Sequence, residues 1–164
     1  DYWLGTPHVG QGYMGEALAA QRAQDWVVSV RSPSPADVGA GWQWFSVLGV
    51  TEENRPARVA AAMPAFQAAV LCWQREAGAD PAHTTLVGFS QGAIMALEAT
   101  QVTGAALAGR VISLAGRFAQ EPRRRPLETN IHLMHGDEDR VMPVALAVNA
   151  DRHLRALGAR TTLD

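Results

Sequence analysis

Only one cysteine, Cys72, occurs among the 164 residues. That excludes an internal disulfide and any zinc site built from several thiolates. Cys72 sits among apolar positions of helical spacing, where a buried, inert thiol is expected rather than a reactive one. No apolar run approaches the roughly 18–20 residues that a membrane span needs. Neither charge is in marked excess: 14 Lys and Arg stand against 16 Asp and Glu, net −2. Nucleic acid and anionic membranes therefore have no electrostatic claim as partners. The first residues carry Gly5, Pro7 and His8 in place of a basic and then apolar stretch. No secretory signal is expected, and a reducing cytoplasm is. No repeat of solenoid or propeller spacing is present.

Short apolar runs alternate with longer helical patterns over a single domain, residues 1–164. Trp26–Val30 reads as a strand ended by the Ser32-Pro33-Ser34-Pro35 turn cluster, and a loop with Trp42, Trp44 and Phe45 follows. Thr51 reads as the N-cap of a helix, with Glu52 and Glu53 complementing its positive end and Pro56 early enough to be tolerated. Val59, Met63, Phe66, Val70 and Trp73 recur at spacings of four and three, placing one stripe on one face. Gly78 ends that helix, and Pro64 is expected to kink it. Thr84–Val87 reads as a strand, 88–92 as a turn and Ala93–Val102 as a helix. Two further strands, Arg110–Ala115 and Asn130–Met134, precede a helix over Pro143–Leu157, closed by Gly158. Thr161–Leu163 opens another strand. Strand and helix in this alternation predict right-handed βαβ units, a mostly parallel sheet with helices on both faces, and chemistry at the carboxyl ends of the strands.

The turn after the Thr84–Val87 run is Gly88-Phe89-Ser90-Gln91-Gly92. A serine between two glycines, after a strand and before a helix, is a nucleophile elbow. Larger residues at Gly88 or Gly92 are expected to collide with neighbouring backbone. The turn lifts the Ser90 hydroxyl to the top of the sheet and aims the Gln91 backbone N–H, at the positive helix start, toward a developing oxyanion. The bland alternative is a glycine-rich turn without chemistry. These features together predict an α/β-hydrolase fold.

His135-Gly136-Asp137-Glu138-Asp139 follows the Ile131–Met134 run directly. In that fold the chain order is serine, acid, histidine, with the acid after a later strand. Asp139 stands in the right place to hold an imidazole in the correct tautomer. Asp137 and Glu138 compete for the role, spacing does not separate them, and an acidic solvated loop is the plain alternative. A metal held by His135, Asp137 and Asp139 is a weak reading, because so local a triplet has no partner elsewhere.

Gly88-Phe89-Ser90-Gln91-Gly92-Ala93, Trp44-Phe45-Ser46 and His135-Gly136-x-x-Asp139-x-x-Met142-Pro143 resemble the phospholipase/carboxylesterase family, which includes the acyl-protein thioesterases. Gln43–Val47, Gly49–Arg55 and Gly92–Glu98 are most similar to its bacterial serine-esterase branch. The resemblance implies Ser90 as nucleophile, Asp139 rather than Asp137 as triad acid, an oxyanion donor at Gln91 and an acyl-pocket wall at Trp44. It also implies cleavage of small-molecule carboxylic esters and thioesters with no metal and no organic cofactor. The family's triad histidine follows a glycine just beyond the strand beginning at Thr161, a place that none of the five histidines takes. His153 reads as a solvated helix residue, and His135 as a group that shapes the acid loop. The family's His-Gly-x-Gly-Asp loop falls near residues 4–12, where the sequence does not match it. The chain thus reads as an internal piece, without the early strands and the histidine segment. A homodimer is an open expectation, and a non-catalytic binding domain on the same fold is the alternative function.

Weaker signals remain. Gly10-Gln11-Gly12-Tyr13-Met14-Gly15 satisfies a dinucleotide-binding pattern, but Pro7 and His8 spoil the strand that should precede it. A turn into a Glu16–Gln24 helix is the better reading, which leaves a nucleotide-dependent oxidoreductase a distant third. Arg123-Arg124-Arg125, boxed by Pro122 and Pro126, reads as a solvated or substrate-edge loop. Trp42, Trp44 and Phe45 read equally as core or as pocket wall from their residue types alone.

Overall fold

Three α-helices, two short antiparallel strands and four parallel strands make up the computed structural model, which describes residues 26–164. The expected turn and helix within residues 10–24 lie outside those residues. Trp26–Val30 does not form the expected strand. Ser29 alone makes a bridge, and Trp26 is 56% exposed; among the described residues no strand lies alongside to extend it into a ladder. Instead the proline cluster and the aromatic loop pair with each other. β1 (Ser34–Pro35) lies antiparallel to β2 (Trp42–Gln43).

Helix α1 spans Arg55–Ala77 and starts three residues later than expected from Thr51, with Asn54 as its cap. A helix capped at Thr51 would put Pro56 where an N–H must donate to the Glu52 carbonyl, and proline has none. Starting at Arg55 puts Pro56 in the first turn, where no N–H is needed. Thr51 and Asn54 instead close a reciprocal turn: Thr51 N–H donates to Asn54 Oδ1 at 2.9 Å, and Asn54 N–H to Thr51 Oγ1 at 3.3 Å. Glu52 therefore precedes the helix. It takes a bidentate bond from Arg117 (2.9 and 2.6 Å) and a contact from Arg55 at 2.7 Å. α1 runs continuously through Pro64 and ends at Gly78, whose φ of 63° is the left-handed conformation that glycine adopts without strain.

The main sheet has the order β3-β4-β5-β6, with β3 Thr85–Phe89, β4 Arg110–Leu114, β5 Asn130–Met134 and β6 Arg160–Leu163, all parallel. Helix α2 (Gln91–Ala99) follows β3 and helix α3 (Ala145–Ala156) precedes β6. Register fixes the faces. Leu86 pairs with Val111, Val111 with Ile131, and Leu133 with Leu163, so these side chains share one side of the pleat. That side joins a single apolar cluster with Val59, Met63, Phe66 and Val70 of α1, Ile94 to Leu97 of α2, and Ala150 and Leu154 of α3. Met95, Leu97, Ile131 and Leu154 are fully buried within it. All three described helices thus pack on this face; the helical layer expected on the other is not among the described residues.

Two buried polar side chains fasten the long connections. Glu98 accepts from the Ala119 N–H at 2.8 Å and pairs with Arg123 at 2.9 Å. Gln74 donates to Thr84 Oγ1 and to the Leu107 carbonyl. The first pair holds the 115–129 loop to α2. The second ties the end of α1 to the start of β3.

Candidate active site

β3 extends to Phe89, so the turn expected over 88–92 narrows to one residue, Ser90. Its φ of 49° and ψ of −112° lie where a non-glycine residue is strained. What holds it there is bonding on both sides. Ser90 N–H donates to the Leu114 carbonyl of the next strand at 2.9 Å, and its own carbonyl accepts the first helical bond, from Ile94 N–H at 3.1 Å. Gly88 makes the turn possible: a Cβ there would lie 2.5 Å from Gly92 C, Gly92 O and Ala93 N. Gly92 differs from expectation. A Cβ at that position meets no described atom within 4 Å, so among the described residues contact requires a glycine at 88 and not at 92. Ser90 itself is half-buried.

Gln91 is the first residue of α2, where a backbone N–H has no carbonyl one turn back to receive it. Its N–H makes no bond among the described backbone pairs and carries the positive end of the helix dipole. The side chain does something the sequence analysis did not anticipate. Its Oε1 accepts the Trp44 N–H at 2.6 Å, and its Nε2 donates to the Phe45 carbonyl at 2.9 Å. The aromatic loop is thereby tied to the turn across more than forty residues. Phe45 is buried, Trp42 is exposed beneath the Arg31 guanidinium at 4.1 Å, and half-buried Trp44 stands edge-on to Phe66 with centroids 5.1 Å apart. The other side of Trp44 lines a cleft of about 430 Å³ with Val30, Arg31, Ala65 and Cys72. Neither Ser90 nor Asp139 lines it. Cys72 is half-buried there rather than buried.

Past β5 the chain forms a tight acid loop. Asp139 Oδ1 accepts the N–H groups of Val141 and Met142, both at 2.8 Å. Asp137 and Glu138 are exposed, whereas the Asp139 side chain is 22% exposed. The Met142 and Val141 N–H groups, with a smaller contribution from His135, hold the Asp139 carboxyl below its usual value of 3.8. The His135 side chain is 1% exposed and its Nε2 lies 2.5 Å from the Met142 carbonyl. A carbonyl only accepts, so Nε2 carries the proton and is spent on closing the loop. Asp139 Oδ2, at 3.7 Å from that nitrogen, accepts no described hydrogen bond.

Register relates the two centres. Phe89, Leu114 and Met134 lie level at the carboxyl edge, so Ser90 and the acid loop leave the same edge two strands apart, about 10 Å at the usual strand spacing. His83 lies at the opposite end of the sheet and bonds Asp80; His132 bonds Thr162 Oγ1 within the sheet; His153 lies on α3, 3.8 Å from Glu121. None of these joins Ser90 to Asp139. Among the described residues no group of three or more His, Cys, Asp or Glu side chains is placed to hold a metal, and no helix is long and apolar enough to cross a membrane. Arg124 and Arg125 are exposed, while Gln101 Oε1 accepts the backbone N–H groups of Arg123 and Arg124.

A family profile described as Phospholipase/Carboxylesterase matches residues 4–164. The chain belongs to the phospholipase/carboxylesterase family. By that membership it is a hydrolase of the α/β-hydrolase fold, as its motifs predicted. It is 45% identical over 161 residues to Esterase YpfH of Escherichia coli (strain K12), covering 98% of this chain and 69% of that protein. It is similar to the crystal structure of esterase PE8, with 28% identity, a TM-score of 0.70, and coverage of 83% of this chain and 66% of that one. The fold is shared with Zea mays acyl-protein thioesterase 2, at 18% identity and a TM-score of 0.60 over 92% of this chain and 77% of the other. The chain thus spans about two thirds of the length of the esterases it matches.

Proposed function

We propose that the complete protein hydrolyses carboxylic esters and thioesters through an acyl-enzyme on Ser90. The observation that carries this reading is Ser90 in a strained, doubly bonded turn at the carboxyl edge of a parallel sheet, beside a helix-start N–H that bonds no described group. Ser90 Oγ attacks the ester carbonyl and gives its proton to a histidine of the family type, carried beyond β6. The oxyanion so formed takes the Gln91 N–H. The imidazolium returns its proton to the departing alkoxide or thiolate, and water then repeats the sequence to free the carboxylic acid and Ser90. Asp139 supports the histidine: its Oδ1 is fixed by two N–H groups, its Oδ2 accepts no described hydrogen bond, and its lowered pKa keeps it an anion. Trp44 forms a wall for the acyl group of a small-molecule ester.

The test is hydrolysis of aryl esters by the full-length protein and by its Ser90→Ala variant. Loss of the nucleophile is expected to lower kcat by several orders of magnitude. Equal rates would end the reading.

A further inference from the structure

We propose that the Gln91 carboxamide is a positioning group that sets acyl-chain selectivity by locking the Trp44 wall to the nucleophile turn. This rests on the roles given above to Ser90 and Trp44. A primary amide offers one acceptor and one donor in a single plane. Here they meet the Trp44 N–H and the Phe45 carbonyl at 2.6 and 2.9 Å, so two bonds fix both the place and the rotation of the loop backbone. Neither glutamate, which lacks the donor, nor methionine, which lacks both groups, reproduces the pair.

The remainder of the loop is held by other means. Asp37 Oδ2 accepts from Val47 and Leu48 N–H, and Arg58 donates to the Ser46 and Leu48 carbonyls. The hydrogen bonds described for the Trp44–Phe45 backbone go to Gln91 alone, with the edge-on contact to Phe66 supporting the indole. The residue that offers its N–H to the oxyanion is therefore the one that holds the wall. An acyl chain leaning on Trp44 presses against a surface whose position is set from the reacting centre itself. A glutamine that served stability alone would leave the relative rates on short and long acyl chains untouched.

The experiment compares kcat and KM for 4-nitrophenyl acetate, butyrate and octanoate in the full-length wild type, Gln91→Glu, Gln91→Met, Trp44→Ala and the Gln91→Met/Trp44→Ala double variant. Gln91→Met should lower the ratio of kcat/KM between the longest ester accepted and acetate about tenfold, the worth of one or two such hydrogen bonds, chiefly through KM. Gln91→Glu, which keeps the acceptor, should fall between. In the double variant the ratio should drop no further than in Trp44→Ala, because the latch acts through that side chain. An unchanged ratio, or losses from Gln91 and Trp44 that multiply independently, would overturn the proposal. If Gln91→Met does not fold by circular dichroism, Gln91→Glu alone decides, since its ratio must also move. Failure of the parent reading looks different: there Ser90→Ala retains the wild-type rate whatever the acyl length.

Discussion

Replacing Gly88 by alanine tests the steric basis of the Ser90 turn, and replacing Gly92 supplies the contrast. The new Cβ at Gly88 would sit 2.5 Å from Gly92 C and O and Ala93 N, about 1 Å inside ordinary carbon contact. These are backbone atoms of the first turn of α2, a helix anchored by the fully buried Met95 and Leu97, so no side-chain rotation relieves the clash. Overpacking of this kind costs up to about 3 kcal/mol. Restricting the unfolded chain returns about 0.4–1 kcal/mol. The net loss is about 2 kcal/mol, or a Tm lower by about 6 °C for a chain of this size. Because relief requires the helix start to move, the Gln91 N–H moves too, and a displacement near 1 Å costs about 100-fold in rate. Gly92→Ala meets no described atom and should match or exceed wild-type stability by up to about 1 kcal/mol, since alanine favours a helix over glycine. Urea unfolding of both variants, with aryl-ester hydrolysis for Gly88→Ala, reads these effects. Equal stability of Gly88→Ala and wild type, or a larger loss in Gly92→Ala, would refute the steric reasoning.

Other perturbations follow from the same geometry. Because N–H groups of Met142 and Val141 lower the Asp139 pKa, its contribution is present above the ordinary aspartate value and is lost only as pH falls through the lower folded one. The acid limb of kcat/KM should therefore report an imidazole, at about pH 6–7, and Asp139→Asn should lower kcat by about 10³- to 10⁴-fold; a limb near pH 4 would contradict this. Glu98→Ala strands the buried Ala119 N–H and releases the exposed Arg123 guanidinium to water, and should cost about 1–3 kcal/mol in urea, with Glu98→Gln recovering part. Leu154→Ala, at a fully buried position where α3 meets the core, should cost about 2–5 kcal/mol by the same measurement.

The parallel sheet was legible because β3, β4 and β5 each combine apolar residues with a nearby breaker, while β6, Arg-Thr-Thr-Leu, was marked by its β-branched pair after Gly158. Asn130–Met134 forms as read, and Thr84–Val87 is displaced only because the strand continues through Gly88 and Phe89 to the residue before the turn. The places of the Ser90 turn and of the acid loop were legible for the same reason: each follows a strand directly. The misses depend on distant groups. Trp26–Val30 has strand composition, but pairing needs a neighbour that composition does not specify. Thr51 has the chemistry of a cap, yet Pro56, five residues on, decides where the helix can begin. Spacing likewise does not say that Asp139, and neither Asp137 nor Glu138, accepts the Val141 and Met142 N–H groups. The Gln91 bonds to Trp44 and Phe45 join positions far apart in sequence, and no local pattern announces them.

An ordinary serine is inert toward a fluorophosphonate, whereas one paired with a base and facing an oxyanion donor is phosphonylated. Treating the full-length protein with such a probe and locating the adduct by mass spectrometry asks whether the hydroxyl raised by the turn is chemically activated. One equivalent on Ser90, absent from Ser90→Ala, is the predicted result. A folded protein left unmodified, or modified at another residue while Ser90 stays free, would contradict it.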